Sequence, residues 1–149
     1  MSVSEADLDM ARVLIVDDEP DILLMVRVNL EAAGYDTALA ADGETALERV
    51  GEEHFDVMLL DVMMPVMDGW GVLENLPRYE NPPRVVVVSA KSSDKDVARA
   101  LDAGAIDYLA KPFKPAQLAA LVADVLVLPE SDIPLHRQIR LGGVDRTLL

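Results

Sequence analysis

Two runs of four consecutive apolar residues, VLIV at 13–16 and VVVV at 85–88, constrain this chain more than any other feature. A strand with one wet face alternates apolar and polar residues. Unbroken apolar runs of this length, rich in valine, mark strands covered on both faces, as in a parallel sheet sandwiched by helices. Three more β-rich stretches are expected at 36–40, 55–60 and 106–109, beside those at 12–16 and 84–88.

Helical patterns fill the gaps. The first is expected over 20–33, with Pro20 in its opening turn and Gly34 beyond its end. The second follows Asp42, a good N-cap. The third starts near Asp68, the fourth follows Ser92 or Ser93 and ends at Gly104, and the fifth follows Pro115. Regular β-α alternation with short links predicts an α/β fold, a doubly wound five-stranded parallel sheet. Ligands of such sheets bind beyond the carboxyl ends of the strands.

Residues 1–11 read as a flexible N-terminal segment, 12–128 as the folded domain, and 129–149 as a tail too short and broken for a second domain. The chain has no cysteine, which excludes disulfides and thiolate metal sites. Its formal net charge is -14, and the tail is neutral, so the domain carries the excess. That charge repels nucleic acid and anionic membranes and attracts cations and basic surfaces. No secretory leader is visible, and the apolar stretch 118–128 is interrupted by Asp124 and too short to span a bilayer. A cytoplasmic protein is expected, with neither nucleic acid nor membrane as partner.

The strand ends carry the chemistry. Asp17, Asp18 and Glu19 follow the first strand, Asp61 the third, Ser89 the fourth and Lys111 the fifth. Singly, Asp18 reads as a helix cap, Ser89 as a loop hydroxyl and Lys111 as a solvated cation. Together they form a set. Three carboxylates converging on one edge repel each other, and Mg²⁺ relieves that conflict with oxygen ligands. Lys111 supplies a point charge for a phosphate oxygen and Ser89 a donor. A metal, a lysine and a donor around one free carboxylate describe a phosphoryl-transfer site. Asp61 is expected to be its nucleophile.

The motifs VLIVDDEPD, LLDVMMPVMDGW, VVVVSAK and GAIDYLAKPF resemble those of response-regulator receiver domains, and the resemblance runs from Arg12 to Leu128. It implies a flavodoxin-like fold with strand order 2-1-3-4-5. It implies Asp61 as phospho-acceptor, Asp18 and Asp61 as direct Mg²⁺ ligands, Asp17 acting through water, and the Met63 carbonyl completing the set. Lys111 then contacts the phosphoryl group, Ser89 is the switch hydroxyl, and Tyr108 the aromatic that turns inward with it. A cis bond is implied before Pro112. The implied donor is a phosphohistidine on a sensor histidine kinase or histidine phosphotransfer protein, and the output an effector protein not named by the sequence.

Other residues carry less. Met58, Met63, Met64 and Met67 read as core filling, Trp70 as packing, and His54 and His136 as lacking ligand-spaced partners. No G-x-G-x-x-G follows the first strand. Three function classes stay open: a stand-alone switch that is no metabolic enzyme, the receiver part of a DNA-binding regulator, and a Mg²⁺-dependent phosphohydrolase. The neutral tail and the end at Leu149 do not support the second. In the segment 115–128 only Gln117 and Asp124 are clearly polar, so more apolar surface is expected than one sheet face covers. A homodimer through the fifth helix is expected, with a tail wrapped over that helix as the alternative.

Overall fold

The computed structural model describes residues 11–64 and 67–142. The strands are β1 (Arg12–Val16), β2 (Asp36–Ala40), β3 (Val57–Leu60), β4 (Arg84–Ser89) and β5 (Asp107–Ala110). All neighbours pair in parallel, in the order β2-β1-β3-β4-β5. The expected fold class and strand order hold.

The helices are α1 (Pro20–Ala32), α2 (Gly43–Glu52), α3 (Gly69–Asn75), α4 (Asp94–Asp102), α5 (Pro115–Val127) and α6 (Ile133–Gly142). Their starts follow local chemistry. Asp42 accepts from the Thr45 amide and Asp68 from the Gly71 amide. Ser93, not Ser92, caps α4, in a reciprocal box with Asp96. Gly34 and Gly104 take positive φ just after α1 and α4, where a side chain would be strained.

Successive strand residues feed opposite faces. Val13 and Ile15 join Leu23, Val26, Leu118 and Val122 in the layer under α1 and α5. Leu14 and Val16 join Ala46, Leu47, Val72 and Ala100 in the layer under α2, α3 and α4. This double covering is why 13–16 and 85–88 are apolar without a break. Met58, Met64 and Met67 pack in or against the second layer, as expected, and Trp70 is buried there under the Arg99 guanidinium. Met63 departs from that expectation: its side chain is 55% exposed.

One boundary changes. The flexible segment was expected over 1–11. Residues 1–10 lie outside the described residues, but Ala11 is buried and its carbonyl accepts from the Asp36 amide, so it belongs to the domain. The tail, expected to be too short and broken for a second domain, forms a 3₁₀ turn at Glu130–Asp132 and then α6. Arg84 anchors its root by donating to the carbonyls of Val125 and Leu128. Ile133 packs against the α1–α5 layer.

The fifth helix is also better covered than its composition suggests. Leu118, Val122 and Val125 are buried, and Leu121 and Leu126 pack partly against the same layer. Val127 is its exposed large apolar residue. Most of the surplus apolar surface behind the homodimer expectation is thus covered within the chain. The tail does fold back: α6 contacts α4 and, through Ile133, the α1–α5 layer, and it leaves Leu135 and Ile139 exposed. Among the described residues, no helix is long and apolar enough to cross a membrane.

Candidate functional site

Parallel strands bring all their carboxyl ends to one edge, and the expected residues meet there. Asp17 follows β1, its amide bonded to the Ala40 carbonyl. Asp61 follows β3, its amide bonded to the Val16 carbonyl. These ladder extensions place both carboxyls at one height. Both are almost fully buried, whereas Asp18 and Glu19 are exposed.

Lys111 closes the group from β5. Its amide bonds the Ser89 carbonyl at 2.9 Å, and its Nζ lies 2.6 Å from Asp17 Oδ2 and 3.0 Å from Asp61 Oδ2. Glu19 Oε1 is 3.8 Å from the same nitrogen. Burial alone pulls the ammonium pKa down, but the hydrogen bonds and charges of Asp17 and Asp61 outweigh it, so Lys111 sits above its ordinary value and stays charged. Burial likewise pushes Asp17 up, partly offset by Lys111 and the Glu19 amide. One lysine thus faces two buried carboxylates.

Ligand oxygens of Asp17, Asp18, Glu19 and Asp61 lie within 4.8 Å of one another. This donor set fits a hard divalent cation: carboxylates of mixed burial, with the exposed members leaving room for water. Asp17, Asp18 and Asp61 are brought together as expected. Glu19 joins them although the sequence reading gave it no role; its adjacency in the DDE run was the available signal. Met63 enters through its backbone, its N–H donating to Asp61 Oδ1 at 2.9 Å.

The wall of the site tolerates little change. Gly69 opens α3 so close to the Asp61 turn that a Cβ would stand 2.4 Å from the Asp61 carbonyl oxygen and 2.5 Å from Val62 Cα. Only glycine fits.

Ser89 is fully buried, and its hydroxyl accepts from the Lys91 amide at 3.2 Å. Tyr108 is turned into the core, 5% exposed, with its hydroxyl donating to the Lys91 carbonyl. Burial, reinforced by the charge of Asp96, pushes that phenol up to about 12, while the nearby Ser89 hydroxyl acts the other way. The Lys111–Pro112 bond is cis, as the resemblance implied. His136 finds a partner, Asp107, that sequence spacing did not reveal.

The sequence profile of the response regulator receiver domain matches residues 13–123, which include every residue of this site. The chain belongs to that family. The receiver domain described here is 41% identical to the transcriptional regulatory protein PrrA of Mycobacterium tuberculosis, over 90% of this chain and 64% of that protein. It is 38% identical to the DNA-binding response regulator MtrA of Mycolicibacterium smegmatis, over 88% of this chain and 63% of that one. The chain therefore spans somewhat under two thirds of these relatives. Among solved structures, the receiver domain of the Francisella response regulator 1452 superposes with a TM-score of 0.74 at 33% identity, covering 78% of this chain and 96% of its own. Chemotaxis protein CheY4 of Vibrio cholerae gives 0.73 at 34% identity, covering 78% and 99%. The expectation that nucleic acid is no partner finds no support among relatives named as transcriptional or DNA-binding regulators.

Proposed function

We propose that this receiver domain is a phosphorylation switch whose acceptor is Asp61. The carrying observation is the Lys111 ammonium held 3.0 Å from Asp61 Oδ2 in a buried acidic cluster. In the reaction, a carboxylate oxygen of Asp61 bonds to phosphorus as the P–N bond of a donor phosphohistidine breaks, and the donor imidazole leaves. The incoming phosphoryl oxygens compete for Lys111, drawing the ammonium away from Asp17 and toward the new anion. Asp17, Asp18 and Asp61, with Glu19 at hand, would hold Mg²⁺. Bound there, it would supply positive charge to the phosphoryl oxygens. The Met63 N–H fixes the orientation of the Asp61 carboxylate. The Ser89 hydroxyl lies beside Tyr108 and is the donor that follows the new charge.

The donor class is a histidine kinase or histidine phosphotransfer protein, and the response is a change of shape read by an effector. The domain acts on its own carboxylate and on no separate substrate. Acetyl phosphate with Mg²⁺ should add one phosphoryl group, seen by intact mass, and Asp61→Asn should abolish it because an amide is a poor nucleophile. A full adduct on Asp61→Asn overturns the assignment.

A second reading concerns the effector. The greater length of PrrA and MtrA, and their names, favour a DNA-binding output for a protein carrying this domain. These 149 residues, at net charge -14, are themselves unsuited to DNA. Retention of a random duplex by this chain at low salt would show otherwise.

A further inference from the structure

The C-terminal helix turns its polar side inward. His136, Arg137 and Arg140 meet the domain, while Leu135 and Ile139 are 58% and 68% exposed. No α6 side chain is buried. A helix of ten residues does not hold by itself in water, so its contacts must hold it. Beside the packing of Ile133 on the α1–α5 layer, they are few and directed. Asp107 Oδ2 lies 3.1 Å from His136 Nε2, and Asp107 Oδ1 accepts from Arg140 Nε at 2.7 Å. Arg140 also donates to the Tyr108 carbonyl at 3.3 Å. Arg137 donates to the carbonyls of Ala105 and Gly104 at 3.1 and 2.5 Å. Every acceptor lies between 104 and 108, on the edge strand β5 and the chain leading into it.

Asp107 and Tyr108 also lead toward Ser89. Asp107 Oδ1 accepts from the Tyr108 amide at 2.8 Å, and the Tyr108 ring reaches inward to the Lys91 carbonyl, two residues beyond Ser89. The 107–108 peptide is therefore gripped from outside by α6 and from inside by the phenol. We infer that α6 is a conformational strap on β5, docked while Tyr108 is turned into the core and loosened when it leaves. A group on Asp61 that draws Ser89 inward then tightens the strap, and by linkage the strap favours that group. The small docking surface suits this task, because α6 can open without unfolding the domain. The phosphoryl arm of this inference rests on Asp61 being the acceptor; the Tyr108 arm does not.

The test is amide exchange of 133–142 in the full chain, read by mass spectrometry. Tyr108→Phe keeps the ring and removes the link to Lys91. Without phosphorylation it should speed exchange in α6 by about fivefold, as should Arg140→Ala, and the two together should add little beyond either. In samples whose intact mass proves the adduct, exchange in α6 should slow by a similar factor. Unchanged α6 exchange in Tyr108→Phe overturns the strap. A response to Tyr108→Phe with none to a proven adduct overturns its coupling to Asp61. Absence of any adduct overturns the acceptor reading alone, and the Tyr108→Phe arm still decides the strap.

Discussion

Lys111 Nζ lies closer to Asp17, at 2.6 Å, than to Asp61, at 3.0 Å. The lysine therefore bridges the two buried carboxylates and offsets part of the cluster's charge before any phosphoryl group arrives. Removing it leaves two buried carboxylates sharing no cation, a loss of roughly 3 kcal/mol for a buried pair of this kind. Lys111→Ala should lower stability by about that amount in urea unfolding, and added Mg²⁺ should restore part of it. Stability unchanged by Lys111→Ala would mean that the pair is not holding the site together.

Mg²⁺ binding should depend on Asp18 although Asp18 is exposed. The cluster keeps Asp17, Glu19 and Asp61 when Asp18 is removed, so the variant tests the expected direct ligand alone. Calorimetric titration of Asp18→Ala should show at least about a tenfold loss of Mg²⁺ affinity. Equal affinity would move the metal to the other three carboxylates.

The exposed Met63 side chain offers no hydrogen bond to a water attacking the phosphoryl group. Met63→Asn should speed loss of the phosphoryl group, followed by intact mass after removal of the donor. A slower loss, or no change, would contradict this account of the site's rim.

Tyr108 should ionise late, near 12, because burial and the charge of Asp96 oppose the phenolate. The protonated phenol is favoured more strongly in the folded chain than in the unfolded one. Its contribution to stability is therefore complete below pH of about 10 and is lost as pH rises from there toward 12. The chain has three tyrosines, and Tyr108→Phe should remove the last fraction of the phenolate absorbance titration. Loss of an early fraction instead would place Tyr108 in water.

Arg84 ties the end of α5 to the start of β4 through the carbonyls of Val125 and Leu128. Arg84→Ala should cost roughly 2 kcal/mol, since these are charged-donor hydrogen bonds that are partly buried. It should also loosen the tail. Chemical unfolding measures the first effect, and amide exchange over 130–142 the second. A variant as stable as the parent would remove Arg84 as the tail's anchor.

A homodimer through α5 would have to use its exposed surface, since Val122 is fully buried. Val127, 55% exposed at the end of α5, is the informative position. If copies pair through this helix, Val127→Glu should raise the dissociation constant seen by sedimentation without changing stability.

Local sequence was enough for the frame. Continuous valine runs require a covering on both faces, Asp42, Asp68 and the Ser92–Ser93 pair mark helix starts, and five strand ends must share one edge if the sheet is parallel. That logic alone places Asp17, Asp18, Asp61, Ser89 and Lys111 together, because a parallel sheet converts strand order into proximity. It left the tail undecided, and for a physical reason. The tail's apolar residues, Leu135 and Ile139, suggested how it should pack, yet it is held by His136, Arg137 and Arg140 reaching residues some 30 positions earlier. Periodicity reports which face of a helix is apolar. It does not report which buried carboxylate or strand carbonyl, distant in the chain, will satisfy an arginine. The partner of Asp107, the inward setting of Tyr108 and the covering of α5 were decided by tertiary contact alone.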